Sequence, residues 1–145
     1  MTDTVSTLVD QLALETLFLD ECQVVRGDAD DATPGKVDQS IEVEFSLQEA
    51  FVFTVRTSFK FLNSNGALVA QIDASFVASF SHGGEEPEQE EIEKYAKGPL
   101  LLTVVPFIRE FLASTTNRLA LPPFYLPLFA HRGAVLRARA QSGGA

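Results

Sequence analysis

The feature that most constrains this chain is a pair of alternating runs joined by an Asn-Gly turn. Between Ala50 and Leu62, Phe51, Phe53, Val55, Thr57, Phe59 and Phe61 share one parity, while Thr54, Arg56, Ser58 and Lys60 share the other. Successive side chains of a strand point to opposite faces, so the ladder reads as a strand with one apolar face. Asn63-Ser64-Asn65-Gly66 follows, and Asn-Gly accepts the positive φ of a hairpin turn. Ala67 to Phe80 is the returning strand, with Leu68, Ala70, Ile72, Ala74, Phe76, Ala78 and Phe80 on one face and Gln71, Asp73, Ser75 and Ser79 on the other.

Two further strands precede the hairpin. Ile41 to Leu47 alternates strictly. Leu12 to Val25 alternates roughly: Leu12, Leu14, Thr16, Phe18, Asp20, Cys22 and Val24 share one parity, and Leu17 and Leu19 make the other face apolar near the middle. Gly27 to Ser40, with Asp28, Asp30, Asp31, Pro34 and Gly35, reads as a long loop. After His82-Gly83-Gly84 the glutamates around Pro87 favour the first turn of a short helix, which Gly98-Pro99 breaks. The period then becomes helical: Leu101, Val104, Val105, Ile108, Phe111, Leu112 and Thr115 recur at three and four, with Pro106 expected to start or kink the helix. Leu121-Pro122-Pro123 ends it, Phe124 to Phe129 is dense in large apolar side chains, and a short terminal helix is expected from about Leu126 to Arg139. The expected architecture is therefore α+β, a four-stranded antiparallel sheet followed by a long helix and a short C-terminal helix. It forms one domain over residues 1–145, ordered over about 12–139.

Composition narrows the function. With 145 residues, 46% of them hydrophobic, the chain can bury a core as a single domain. One cysteine, Cys22, excludes an internal disulfide and points to a reducing compartment; in a strand it is expected to be a small core residue. The N-terminus lacks the pattern of a signal peptide, and the apolar run from Leu100 to Phe107 is too short to span a bilayer. The expectation is a soluble, cytoplasmic protein with no membrane insertion. A formal net charge of −9 argues against nucleic acid as a partner. Phosphate loops, nucleophile elbows, zinc spacings and calcium loops are absent from the sequence, so no catalytic residue, metal ligand or cofactor is assigned. What remains is surplus apolar surface: twelve phenylalanines, and the Pro-punctuated stretch Leu121 to Phe129, which implies an interface or a groove.

The order of elements, and above all Val105-Pro106-Phe107-Ile108-Arg109-Glu110, resembles the SecB family of export chaperones and the aromatic/aliphatic-Pro-aromatic-x-Arg-Glu at the head of its main helix. Arg118 and Leu121-Pro122 fall at the family's spacing, and Phe124-Tyr125-Leu126 with Pro127 is similar to the apolar stretch that follows. The resemblance implies a non-enzymatic homotetramer, a dimer of dimers, that holds unfolded polypeptide in hydrophobic grooves, supports protein export and translocation, and hands clients to the motor SecA. It places client binding at Phe107, Phe111, Phe124, Tyr125, Leu126 and Phe129, and the oligomer interface on Leu101, Val105, Ile108 and Leu112. SecA-contact candidates are Glu21, Val69 and Gln71.

Three departures bear on this reading. Gly27 to Ser40 has no aromatic residue where the family's first loop helps build a deep pocket, Gln71 stands where the family has an acid, and the tail carries Arg137 and Arg139 where the family's is usually acidic. They open an alternative to preproteins as clients: a dedicated chaperone serving an antitoxin of a toxin–antitoxin system. A carrier of a small apolar ligand is the other class of function the pattern admits.

Overall fold

The computed structural model describes residues 11–47, 49–83, 87–122 and 134–138. The Phe ladder forms β3 (Phe51–Leu62), and the run after the turn forms β4 (Leu68–His82). They pair antiparallel, Phe53 opposite Ala78 and Phe59 opposite Ile72. The turn is held by Asn63, whose Oδ1 accepts the N–H groups of Asn65 and Ala67, both at 2.9 Å. Gly66 takes φ 82°, a left-handed conformation that glycine adopts without penalty. The Asn63 side chain also donates to the Asp31 carbonyl at 3.2 Å, fastening the hairpin tip to the preceding loop.

β2 (Lys36–Leu47) pairs antiparallel with the other edge of β3 along its whole length. It starts earlier than the sequence expectation of a loop to Ser40, because the ladder of β3 continues past Thr57 and draws Lys36 to Gln39 into pairing. β1 (Leu12–Arg26) pairs with β4. At its end the chain passes so close to β4 that a Cβ on Gly27 would lie 2.0 Å from the Leu68 carbonyl oxygen. The strand order is β1-β4-β3-β2-β5, where β5 (Ala134–Ala138) lies parallel to β2.

β5 corrects the expected terminal helix: residues 134–138 are extended, because the backbone of the β2 edge offers them ladder hydrogen bonds that a helix would leave unmade. The remainder of the expected helix lies outside the described residues.

β1 corrects a second expectation. Its register slips at Glu15 and again at Asp20, each an extra residue opposite one on β4. The two bulges re-phase the strand, so Leu14, Leu17, Leu19, Cys22 and Val24 share the inner face, while Thr16, Phe18, Glu21, Gln23 and Val25 share the outer one. Cys22 is exposed rather than a core residue, because among the described residues only Leu12 and Leu17 of β1 are partly covered.

The helices cover the inner face. α1 (Gln89–Lys97) starts where the Glu88 N–H donates to Glu91, and carries an exposed Glu90–Lys94 pair one turn apart. It breaks at Gly98, and α2 (Pro99–Arg118) begins at once, with Pro99 in the first turn where a missing N–H costs nothing. Pro106 sits inside α2 and denies the Leu102 carbonyl its partner; both residues are exposed, so water can take that place. Together α1 and α2 are long and apolar enough by composition to cross a bilayer. Here, however, Leu100, Leu101, Val104, Val105, Ile108 and Leu112 are buried in one continuous core with Phe45, Phe53, Phe59, Ile72, Phe76 and Phe80.

α2 ends in a left-handed cap. The Leu121 N–H reaches the Thr116 carbonyl and the Ala120 N–H reaches that of Asn117, both at 3.0 Å, with Ala120 at φ 61°. The Arg26 guanidinium donates to the Leu119 carbonyl, placing a cation at the negative end of the helix. A Cβ in the left-handed region costs roughly 1–2 kcal/mol. Ala120→Gly is therefore expected to stabilise the fold by up to about 1 kcal/mol, read as a higher urea midpoint at unchanged slope.

Tyr95 lies between Phe53 and Phe80, with ring centroids at 5.7 and 5.8 Å. Burial pushes its phenol above the ordinary value near 10. Stability from the neutral ring is full below that value and is lost as pH rises through the raised one. Tyr95→Phe is expected to flatten the fall in melting temperature above pH 10, and an unchanged alkaline limb would assign that loss to other groups.

Candidate functional site

A helix and a sheet packed face to face leave an apolar surface only where the cover runs out. α2 presents Leu100, Leu101, Val104, Val105, Ile108 and Leu112 to the sheet, and all are buried. The expected oligomer interface of Leu101, Val105, Ile108 and Leu112 is thereby corrected: these four lie inside the protomer core and offer no surface to a second copy. The helical period read from the sequence is real, but it marks the face turned to the chain's own sheet. The opposite face carries Leu102, 68% exposed, and Phe107, 47% exposed.

Of the residues expected to bind clients, Phe107 and Phe111 fall in α2, while Phe124, Tyr125, Leu126 and Phe129 lie outside the described residues. Phe111 is half-buried and meets Phe76 of β4 edge-on, with centroids at 5.8 Å. Phe76 is the register partner of Leu19 on β1. The line Phe111–Phe76–Leu19 thus runs from the flank of the helix across the sheet to its edge. Beyond Phe76 the inner face is open, and Leu14, Leu19 and Val24 are exposed. On the outer side of the same strand Phe18 is 49% exposed, and Val25 is exposed too. β1 is an edge strand, and its outward backbone groups face no neighbouring strand among the described residues. Sequence reasoning missed β1 as the main apolar surface. The signal was the apolar character of both its faces, which no single buried environment explains.

Across its middle rows the outer face of the sheet is polar. Glu42, Arg56, Ser75 and Glu21 form one row across four strands, and Ser40, Ser58, Asp73 and Gln23 form the next. They line an open cleft of about 720 Å³. The Arg56 guanidinium donates to the Glu44 carboxylate. Of the expected SecA contacts, Glu21 is exposed in this cleft, Gln71 is half-buried and donates from Nε2 to the Asp73 carboxylate at 3.0 Å, and Val69 is buried. Val69 is corrected on that ground, because a side chain 2% exposed presents nothing to a partner. The cleft's carboxylates and hydroxyls suit water and cationic groups, and an apolar ligand would find no enclosure in it. Among the described residues no group of three or more His, Cys, Asp or Glu side chains is arranged to hold a metal ion.

The two sides of α2 give contrasting expectations. Ile108→Ala should cost about 2–5 kcal/mol of unfolding free energy, because Ile108 is 0% exposed. Phe107→Ala should cost less than about 1 kcal/mol, since half the ring already faces water. Denaturant melts of the two variants check this, and a large loss at Phe107 would return that ring to the core.

Known proteins bear on what such a surface does. No family model matches the chain. Over 66 residues, 43% of its length, it is 36% identical to the SecB-like chaperone Rv1957 of Mycobacterium tuberculosis, and equally to the SecB-like chaperone MT2006 of another strain. The matched segment spans 36% of those relatives' own length. The structure of the Rv1957 SecB-like chaperone in complex with a ChAD peptide from the Rv1956 HigA1 antitoxin superposes with a TM-score of 0.77 at 27% identity. That superposition covers 86% of this chain and 94% of the other. In part of its sequence and over most of its fold the chain is similar to these SecB-like chaperones.

Proposed function

We propose that this SecB-like chain is a chaperone that holds an extended, apolar segment of a dedicated client, the antitoxin of a toxin–antitoxin system. The observation that carries the reading is its likeness, over nearly the whole fold, to a SecB-like chaperone solved with an antitoxin peptide bound. The physical argument agrees. An apolar surface flanked by aromatic rings gains free energy from covered area, whatever the order of side chains presented to it, so it suits an extended chain without secondary structure. Several such contacts along one client add by avidity.

The dedicated role is preferred to general export through SecA. Of the three positions that would contact the motor, only Glu21 stands free, since Val69 is buried and Gln71 is engaged with Asp73. A cytoplasmic setting fits the lone thiol of Cys22.

The apolar surface is divided between two occupants. β1, apolar on both faces and open along its edge, is assigned to a second copy of the chain within a homotetramer. The α2 flank around Phe107 and Phe111 is assigned to the client. Leu19→Glu is then expected to lower the native mass below that of the tetramer without unfolding the protomer. Phe107→Ser should leave mass unchanged and cut the capacity to keep an unfolded protein soluble by several-fold. Light scattering and an aggregation assay on the same samples read both, and the opposite pattern would exchange the two roles. For the client itself the measurement is antitoxin lifetime in cells. An antitoxin encoded beside this chain should persist only when the chain is co-expressed. A lifetime indifferent to it would remove the dedicated role.

A further inference from the structure

β5 lies against β2 with Ile41 opposite Ala134, Val43 opposite Leu136 and Phe45 opposite Ala138. It is five residues long, parallel, and last in the strand order, so β2 is its only neighbour in the sheet among the described residues. Each of these properties weakens it. Parallel pairing is slightly less stable per residue than antiparallel, and short edge segments open with the smallest free energies in a fold. The strand is held by its backbone ladder on β2, which any extended chain can supply, and is approached by α1 as well.

We infer that the β2 edge is a strand-accepting site that Ala134–Ala138 fills in the free protein and vacates for an extended segment of the client. The occupant's chemistry can be read from the strand now in place. It is apolar except for one cation, Arg137, in register with Glu44, and the next position of the same parity, Val135, is in register with Glu42. The outer side of β2 also carries Asp38. An apolar segment with basic residues at alternate positions therefore matches this edge, and an acidic one does not. The internal strand competes with the client. Were it seated about 90% of the time, the apparent dissociation constant would be raised about tenfold.

The inference rests on the client-binding reading above, and the experiment keeps the two apart. In the full chain with Cys22→Ser, Glu42→Cys and Val135→Cys place two thiols at directly paired positions. Strand neighbours lie about 4.8 Å apart, within disulfide reach. The probe is a permanently unfolded, reduced and carboxymethylated protein, followed by fluorescence anisotropy, together with a synthetic peptide of residues 131–140. The oxidised protein is expected to lose at least tenfold in affinity for both probes, and reduction should restore it. Leu136→Pro and Arg137→Pro, made separately because adjacent amides of a strand point to opposite sides, should include one variant that binds the unfolded protein several-fold more tightly. Failure of the thiol pair to oxidise would mean that β5 does not occupy this edge. Equal affinity in the locked and reduced forms, with binding intact, would overturn the strand-accepting site and leave the chaperone reading standing. No binding by any form, the unaltered chain included, would overturn both.

Discussion

One helix over a wider sheet is the constraint from which the remaining features follow. A helix with its side chains is about 10–12 Å across, and strands repeat every 4.7–4.9 Å, so α2 can cover roughly two or three strands. The Phe ladder of β3 claims the centre of that cover, and β2 and β4 lie on either side of it. β4 accommodates the helix with Ala70, Ala74 and Ala78 between its larger side chains. The cover is spent before it reaches β1. The uncovered strip is a geometric remainder of the fold, and the bulges at Glu15 and Asp20 supply it with apolar side chains on both faces.

The same geometry explains why the two faces of the sheet differ. The inner face is mainly apolar, with Thr57 among its buried residues, and is closed in the middle. The outer face carries acids, hydroxyls and a few cations, with the Arg56–Glu44 pair bridging β3 and β2 and the Lys36–Asp38 pair lying along β2. The exposed Lys36–Asp38 pair contributes at most about 1 kcal/mol. The outer face is therefore a solvated surface whose charges bear on encounter with partners more than on stability.

Much of this was legible in the sequence wherever periodicity had one reading. The Phe51–Phe61 ladder, the Asn65-Gly66 turn, the break at Gly98-Pro99 and the helical spacing from Leu101 each follow from a local rule, and the SecB-like motif around Pro106 placed them in order. Three things were not legible. An apolar helical stripe such as Leu101, Val105, Ile108 and Leu112 looks the same whether it meets the chain's own sheet or another copy, and only tertiary packing decides. A bulge has no fixed residue type, so the re-phasing of β1, and with it the exposure of Cys22, could not be read from alternation. The segment Ala134–Ala138 has no strong preference of its own. The open edge of β2 makes it a strand, which is a property of the other partner.

The placement of β1 beside β4 has a consequence in time. Of the described strands β1 leaves the ribosome first, yet its partner appears only after β2 and β3 have been made. At about 5–20 residues per second that wait is on the order of several seconds, whereas the β3–β4 hairpin can close on the microsecond scale once it is complete. Throughout that interval the nascent chain displays Leu14, Leu17, Phe18 and Leu19 on an unpaired strand, the kind of segment a holdase protects in others. Of the described strands, β1 is thus the one that stays unpaired longest during synthesis, and the rate of translation sets how long its apolar faces are open to aggregation.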